Sequence, residues 1–434
     1  MLSLRTLVQV GHSRNDRQVT TFSLLAKRTD PSSKNWRPVG LSVAAVGWGA
    51  NQFAPLLVMY RAQSGLSAAA VQATFGIYAL GLIPGLLLGG PLSDKRGRRS
   101  VMLAALALSL TASILLVYGG QRSAMLFVGR LVAGIASGAA FSAGTAWIKE
   151  LSAGSPDNPG ARRSTIAMTS GFAVGPLCAG IIAQFAPYPE VLCYSPHLVL
   201  VTAAACLIYR MPDFRQGNPT VARAPSLSPL AMRRMVTVIF PFAPWVFGSA
   251  AIGLAYLPGL MSEQVGENAL LFAAFITALG ALAGIAIQPL ARMLDAAHHS
   301  RLLLGSMMLV IAGISIAAVA AHVRTVPLAV LASIVLGFGY GACQVGGLLE
   351  VQRLAPAHAL ARVTASYQAV TYLGFGVPFA LAAIDGRFSP SALLIGVSLL
   401  AVLTLALVYS ADKILRSSAP SSPTESTVRY VETT

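Results

Sequence analysis

Charged residues are scarce in this chain. Asp, Glu, Lys and Arg make up 11% of its 434 residues, whereas a typical soluble domain carries about 25%. Hydrophobic residues reach 55%, and the mean hydropathy is +0.68. Because so little polar surface cannot cover a water-soluble protein of this length, we expect an integral membrane protein. Alternating ten-residue strands are also missing, which argues against an outer-membrane barrel.

Several kinds of reactive site are missing as well. The four cysteines, Cys178, Cys193, Cys206 and Cys343, have neither the spacing of a disulfide framework nor that of a metal site. No Walker A motif occurs, which argues against an ATP-driven pump, and neither H-E-x-x-H nor G-x-S-x-G is present. We therefore expect no enzyme activity, no metal and no cofactor.

Apolar segments of membrane-spanning length are abundant. A helix needs about 20 residues to cross a hydrocarbon core of about 30 Å. Such segments are expected at twelve places: 38–60, 69–90, 100–120, 123–148, 164–186, 195–210, 236–260, 268–290, 302–322, 326–349, 365–385 and 390–410. The predicted fold is an all-α membrane protein with twelve transmembrane helices.

Basic residues fall almost entirely on one side of these segments. With a cytoplasmic N-terminus, the connections on the other side hold only Arg61, Arg122, Arg324 and Arg387, and Arg130 lies within a span. This asymmetry follows the positive-inside rule and predicts that both termini are cytoplasmic. The net charge of +16 is therefore assigned to membrane topology and not to nucleic-acid binding. We expect the bilayer to be a bacterial inner membrane.

A polar stretch rich in proline and arginine divides the chain into two similar halves. The expected domains are a basic cytoplasmic tail at 1–37, a six-helix bundle at 38–210, a cytoplasmic linker at 211–235, a second six-helix bundle at 236–410 and a cytoplasmic tail at 411–434. Glu150 and Glu350 occupy matching places at the inner end of the fourth span of each half. Two pseudo-symmetric bundles of this kind hold a substrate near the midplane between them.

The ten residues from Gly90 to Arg99 carry five charges between two apolar segments, which predicts a tight loop at a membrane face. Gly90 allows close approach of helices, and Gly97 suits a turn with positive φ. Asp94 and Arg98 are suited to a charge-assisted contact with a neighbouring helix end. A basic loop that only sets topology is the alternative, and the spacing of the glycines and Asp94 argues against it.

The pattern G-x-x-x-D-[RK]-x-G-R-[RK] formed by these residues resembles the loop 2–3 signature of the major facilitator superfamily of secondary transporters. The resemblance implies that this loop latches an outward-open state and releases it on inward opening. The matching connection of the second half, beginning at Gln288, lacks the glycines and the aspartate. Any such latch is therefore expected in the first half only.

Two further stretches resemble motifs of proton-coupled members of this family. Arg130 and Gly134 fit the span-4 pattern R-x-x-x-G, although snorkelling of Arg130 to the outer headgroups is an alternative. The run from Gly171 to Gly180 is close to the antiporter motif g-x-x-x-G-P-x-x-G-G, with Ala179 in place of a glycine. Its glycines, Gly171, Gly175 and Gly180, favour tight helix packing, and Pro176 favours a kink.

The interiors of the expected spans contain no Asp or Glu, although a buried carboxylate is the usual proton site. The candidates for proton coupling are therefore Arg130, Glu150 and Glu350. Without a midplane carboxylate, neutral or anionic amphipaths are expected to fit better than permanent cations. Candidate cavity residues are the polar and aromatic ones: Trp48, Asn51, Gln52, Tyr78, Trp245, Tyr256, Gln344, Tyr367, Gln368 and Tyr372.

The resemblance implies a monomeric exporter of small amphipathic molecules that works by proton antiport and rocker-switch alternating access. Two alternatives stay open at this point. An uptake carrier or uniporter for a metabolite such as a sugar or organic acid agrees with the absence of an embedded carboxylate. A membrane sensor or scaffold that transports nothing is the second.

Overall fold

The computed structural model describes residues 35–63, 65–120, 122–153, 159–212, 227–297, 299–356 and 359–417. Within them, eleven helical segments are long and apolar enough to cross a membrane. We number them as spans 1 to 10 and span 12: Arg37–Ala62, Ala68–Arg96, Arg98–Gly120, Ser123–Ser152, Gly160–Phe185, Pro189–Tyr209, Pro229–Leu260, Ser262–Ala296, Arg301–Val323, Val326–Leu354 and Pro390–Leu415. The predicted all-α membrane fold is confirmed. Residues 1–34 of the predicted tail at 1–37, 213–226 of the predicted linker at 211–235 and 418–434 of the predicted tail at 411–434 lie outside the described residues.

Spans 1, 7 and 11 are interrupted close to prolines. Span 1 consists of the helices Arg37–Asn51 and Phe53–Gln63, with Gln52 between them. Pro55 follows shortly after this break. Because proline has no N–H to donate to the carbonyl four residues earlier, it removes the bond that would join the two pieces at Asn51.

Spans 7 and 11 are divided in the same way. Span 7 alternates the α-helices Pro229–Arg234, Phe240–Phe242, Pro244–Ala251 and Leu257–Leu260 with the π-helical turns Met235–Ile239 and Ile252–Tyr256. Span 11 is the run of helix Leu360–Tyr372, 3₁₀ turn Leu373–Gly376 and helix Val377–Ala383, and it is not among the eleven long segments. Such π and 3₁₀ turns inside helices are frequent at functional sites.

The other spans are more regular. Span 3 contains the helix Arg98–Val117 and the 3₁₀ turn Tyr118–Gly120, span 6 the helices Pro189–Leu192 and Ser195–Tyr209, and span 8 the elements Ser262–Val265, Gly266–Asn268, Ala269–Ala286 and Gln288–Ala297. Span 9 belongs to the helix His299–Val323 and span 12 to the helix Pro390–Ser417. Spans 2, 4, 5 and 10 are single helices with the bounds given above.

The expected ten-residue loop at 90–99 is wrong. The helix of span 2 continues through Arg96, Gly97 alone is non-helical, and span 3 begins at Arg98. A helix can pass beyond the hydrocarbon when its charged last turns are solvated, and Lys95 and Arg96 complement the negative end of its dipole. Gly97 has φ 97°, so the positive φ expected at this position is confirmed.

Glycines bring helix backbones together inside each half. A Cβ placed on Gly134 of span 4 would lie 2.1 Å from the carbonyl oxygen of Tyr78 in span 2. In the second half, a Cβ on Gly341 of span 10 would lie 2.0 Å from the carbonyl oxygen of Gly284 in span 8. In both halves, a glycine of the fourth span therefore allows close packing against the second span, as expected for pseudo-symmetric bundles.

The two halves meet mainly near one end of the molecule. We call the end that carries Arg98, Glu150 and Arg234 the basic face, and the end near Ala68 and Leu260 the opposite face. In the described residues, the hydrogen bonds between halves run from the Gln72 side chain to the Ala255 carbonyl (2.9 Å) and from Gln184 to the Glu267 carbonyl (2.7 Å). Both lie toward the opposite face, where the halves are thus held together.

Candidate functional site: a cavity between the halves

A cavity of about 60 Å³ lies between the halves. Its lining residues are Asn51, Tyr78, Leu82, Phe141, Phe172, Phe247, Ala250, Gly253, Leu254, Thr277, Gly280, Ala281, Ser333, Leu336, Gly337, Tyr340, Tyr372 and Phe375. None of these described lining residues is charged. Ligand pockets usually measure about 300–1,000 Å³, so a bound molecule requires this cavity to widen.

Stacked aromatic rings form one wall of the cavity. The ring of Phe247 in span 7 stacks on Tyr372 at 4.6 Å and on Phe375 at 4.9 Å between centroids, both in span 11. Phe375 also meets the rings of Phe75 (5.3 Å) and Tyr78 (5.9 Å) edge-on. Because Phe75 and Tyr78 belong to span 2, this wall joins the two halves, and a movement of one half against the other must disturb it.

Of the ten residues proposed from sequence to line a cavity, the structure places Asn51, Tyr78 and Tyr372 in its wall. Gln52 is fully buried and donates from Nε2 to the Ser113 hydroxyl (3.2 Å), and Gln368 accepts from the Thr371 hydroxyl (3.1 Å). Neither of these glutamines lines the cavity, and the other five residues are also absent from its wall. Trp245 is 8% exposed and belongs to the hydrophobic core. The other four each have a buried side-chain polar atom without a hydrogen-bond partner: Trp48, Tyr256, Gln344 and Tyr367.

Sequence reasoning missed the phenylalanines and small residues of the lining. Phe141, Phe172 and Phe247 line the cavity, yet a phenylalanine in an apolar span resembles one that faces lipid. Prolines could have identified two of the aromatic residues, because they mark the interrupted spans 7 and 11, to which Phe247 and Phe375 belong.

Arg130 lies deep inside the first half. Its side chain is 1% exposed, and its guanidinium donates to the carbonyls of Thr74 (3.2 Å) and Ala50 (3.0 Å). It also lies over the rings of Phe53 (4.7 Å) and Tyr78 (4.5 Å). The Arg130 side chain therefore does not snorkel to the lipid headgroups. Among the described residues no carboxylate pairs with it, and it stands behind Tyr78, outside the cavity lining.

The motif residues form a charge cluster at the basic face of the first half. Arg98 is 7% exposed and contacts Asp94 (2.6 Å), Glu150 (2.7 Å) and the Ser93 hydroxyl. Because Gly97 turns the chain, Arg98 begins span 3 while facing both span 2 and span 4. Arg99 donates to the Met211 carbonyl (2.8 Å) at the end of span 6. The cluster thus fastens four spans together.

The second half holds a comparable cluster built from other positions. Glu350, 5% exposed, contacts Arg234 of span 7 and Arg353 (3.1 Å) of its own span. Arg234 also contacts Asp412 (2.8 Å), and Arg353 contacts Asp295. Charge clusters are therefore present in both halves, although only the first half carries the sequence motif.

The antiporter-like run places its glycines at two different contacts. A Cβ on Gly171 would lie 2.1 Å from the Ala44 carbonyl oxygen, and one on Gly175 would lie 2.9 Å from the Trp48 Cα, both in span 1. A Cβ on Gly180 would lie 2.4 Å from the Cβ of Ala274 in span 8. Gly180 therefore packs across the boundary between the halves. Pro176 lies inside the helix of span 5.

Two helical bundles around a shared cavity, with discontinuous helices in its wall, define the class of secondary transporters. Residues 39–379 match the model of the Major Facilitator Superfamily, which covers most of the chain, and the protein belongs to this family. It is a transporter and not an enzyme. A search of curated proteins finds no match.

Solved structures show the same fold. A mutant of the peptide transporter POT is 14% identical, with 88% of this chain and 95% of that chain covered and a TM-score of 0.74. A mutant of the nucleoside transporter NupG is 11% identical, with 87% and 99% covered and a TM-score of 0.70. A D-xylose–proton symporter is 15% identical, with 87% and 97% covered and a TM-score of 0.68.

Proposed function

We propose that this protein exports small, neutral amphipathic molecules by proton antiport. The observation that carries the proposal is the chemistry of the cavity wall, where aromatic and small side chains surround a few hydroxyl and amide groups without a charged side chain among the described lining residues. An apolar wall with a few polar groups suits a neutral ligand. Arg130 lies behind Tyr78, which disfavours its use as a direct anion partner.

The hydrogen bonds that join the two halves at the opposite face support alternating access. The Gln72–Ala255 hydrogen bond lies in the wall of a second cavity of about 440 Å³ between the ends of spans 1, 2, 7 and 8. Arg61 and Glu263 also line this outer cavity. At the basic face, the contacts of Arg98 with Asp94 and Glu150 stay within one half. These contacts fit a state open toward the basic face, with the proposed latch released.

Export is supported by the antiporter-like run that ends at Gly180. The metabolite carrier is kept as the second function because span interiors carry no acidic residue in the described chain, and because solved proteins of this fold include a D-xylose–proton symporter. We propose a bacterial inner membrane with the basic face in the cytoplasm, and a monomer as the working unit. A sensor or scaffold on this fold would give no flux at all.

The test measures accumulation in cells without their own efflux pumps. The probes are chloramphenicol and Nile red, which are neutral and aromatic, and ethidium, a permanent cation of similar size. We expect lower accumulation of the neutral probes when the protein is present, and recovery when a protonophore is added. Unchanged or higher accumulation contradicts export and favours the metabolite carrier, and stronger export of ethidium contradicts the assignment to neutral molecules.

A further inference from the structure

A further buried ionisable residue lies in the first half, on the side of span 1 away from the cavity. His197 of span 6 is 0% exposed, and its Nδ1 lies 2.8 Å from the Ser113 hydroxyl of span 3. Its Nε2 lies 3.4 Å from the hydroxyl of Ser109, also in span 3. Gln52 donates from Nε2 to the Ser113 hydroxyl (3.2 Å) and completes a four-residue cluster.

This cluster can hold the imidazole in either charge state. A serine hydroxyl both donates and accepts, so one hydroxyl can donate to the neutral ring while the other accepts from it. After protonation both ring nitrogens donate, and both hydroxyls can accept. Histidine is the side chain whose charge most readily changes near neutral pH. Methyl groups in place of these hydroxyls could neither donate to the neutral ring nor accept from the imidazolium.

Span 1 connects the histidine with the cavity. The ring lies so close to Gly49 that a Cβ there would be 2.6 Å from Nε2. The next residues are Ala50, whose carbonyl accepts from Arg130 (3.0 Å), and Asn51, which lines the cavity. Gln52 follows at the break between the helices of span 1. A charge on His197 therefore acts on the same short, interrupted segment that binds Arg130 and faces the substrate.

Among the described residues, the helices packed against span 6 supply no neutralising carboxylate near the ring. Span 1 carries Arg37 at its basic end, and span 3 carries Arg98 and Arg99 at the same end. The short helix before His197 carries Glu190. Beside it, the Tyr194 hydroxyl is hydrogen-bonded to that of Tyr60 (2.9 Å). The nearest cation on span 4, Arg130, reaches the backbone of span 1 beside Gly49.

We propose that His197 is the proton-binding residue of the transport cycle, and that Gly49–Gln52 transmits its charge state to the cavity. The inference rests on the proposed proton-linked transport. The neutral ring takes one proton from the aqueous side to become an imidazolium, with Ser109 and Ser113 accepting its two N–H groups. The ring releases this proton at a later step of the cycle. Protonation places a positive charge against Gly49, beside the residue whose carbonyl accepts from Arg130, which favours a rearrangement of span 1.

The first test needs no substrate. The six histidines of the purified full-length protein are labelled with ¹³C in the ring, and their NMR signals are followed between pH 3 and 8 in lipid nanodiscs. His197→Gln identifies the signal of His197, and His322→Gln, at an exposed position in span 9, is the matched control. We expect the His197 signal to titrate in this range, and a signal that stays constant overturns the proposal.

The second test measures transport in proteoliposomes with radiolabelled chloramphenicol. Wild type and His322→Gln should show uptake driven by a pH gradient. His197→Gln should lose at least tenfold of that uptake while retaining counterflow of the same probe, which needs no net proton movement. Full gradient-driven uptake by His197→Gln overturns the proposal. A wild type with counterflow but no response to the gradient rejects proton-linked transport itself.

Ser113→Ala provides a variant that keeps the histidine. Loss of one acceptor for the imidazolium should move the midpoint of both the NMR titration and the transport profile toward lower pH by about one unit or more, because a hydrogen bond to the charged ring stabilises its protonated form. An unchanged midpoint in this variant counts against the assignment, even if His197→Gln fails to fold.

Discussion

A single methyl group on Gly180 should prevent the opposite face from closing. The Cβ of Gly180→Ala would lie 2.4 Å from the Cβ of Ala274, across the boundary between the halves. Ordinary contacts between carbon atoms are about 3.5–4.0 Å, so the halves must move apart by roughly 1 Å or more. Overpacking of this size costs about 1–3 kcal/mol, which corresponds to a shift of about 5- to 150-fold in the population of the closed form.

The assay follows a cysteine in the cavity. Asn51→Cys in a background without the four native cysteines is labelled with a membrane-impermeant maleimide from each side of the membrane. In Gly180→Ala we expect faster labelling from the opposite face, slower labelling from the basic face and a loss of transport. Gly396→Ala, at a glycine with no atom within 4 Å of its added Cβ, should change none of these.

A reciprocal substitution gives the decisive control. Combining Gly180→Ala with Ala274→Gly removes the methyl group that the new one would meet, and leaves the Leu270 carbonyl oxygen at 3.2 Å as the next neighbour. The double variant should regain most of the wild-type labelling pattern and transport. If Gly180→Ala labels like wild type, or if the double variant is as defective as the single one, the steric reasoning is refuted.

Three further substitutions test other parts of the site. Arg130→Ala should abolish transport with normal membrane levels, because the carbonyls of Thr74 and Ala50 lose their shared donor; unchanged transport would contradict this. Glu350→Gln should lower the thermal stability measured in detergent, since a buried contact to two arginines contributes about 3–5 kcal/mol when one partner is removed, whereas Glu263→Gln, in an exposed pair, should not. Phe247→Ala should raise the Kd of neutral aromatic probes about tenfold or more, as measured by equilibrium binding.

The fold was predictable because membrane insertion imposes simple rules. Span length and the distribution of basic residues follow directly from the bilayer. The error at 90–99 arose because those rules describe only the hydrocarbon: a helix that leaves it, as span 2 does before Gly97, need not end there. Span 11 was expected at 365–385, but its helix is divided around Leu373–Gly376. This division could not be predicted, because it depends on the close packing of Gly374 against span 7.

The cavity was harder to predict than the fold. Asn51, Tyr78 and Tyr372 were found because polar or amphipathic groups inside a span need a partner or a cavity. The same reasoning selected Gln52, whose partner is Ser113 within the bundle. It gave no weight to His197, although a histidine inside an apolar span is as informative as an arginine. Which face of a helix meets the other half is set by tertiary packing, which one sequence does not display.

The two charge clusters show why motif symmetry and structural symmetry differ. In the first half one arginine, Arg98, contacts Asp94 and Glu150. In the second half Glu350 instead lies between Arg234 and Arg353. In both, a nearly buried ionic group ties the fourth span of the half to its neighbours at the basic face. What the two halves share is therefore an ionic cluster that holds the fourth span to its neighbours, and two rigid bundles would suit the rocking motion proposed above.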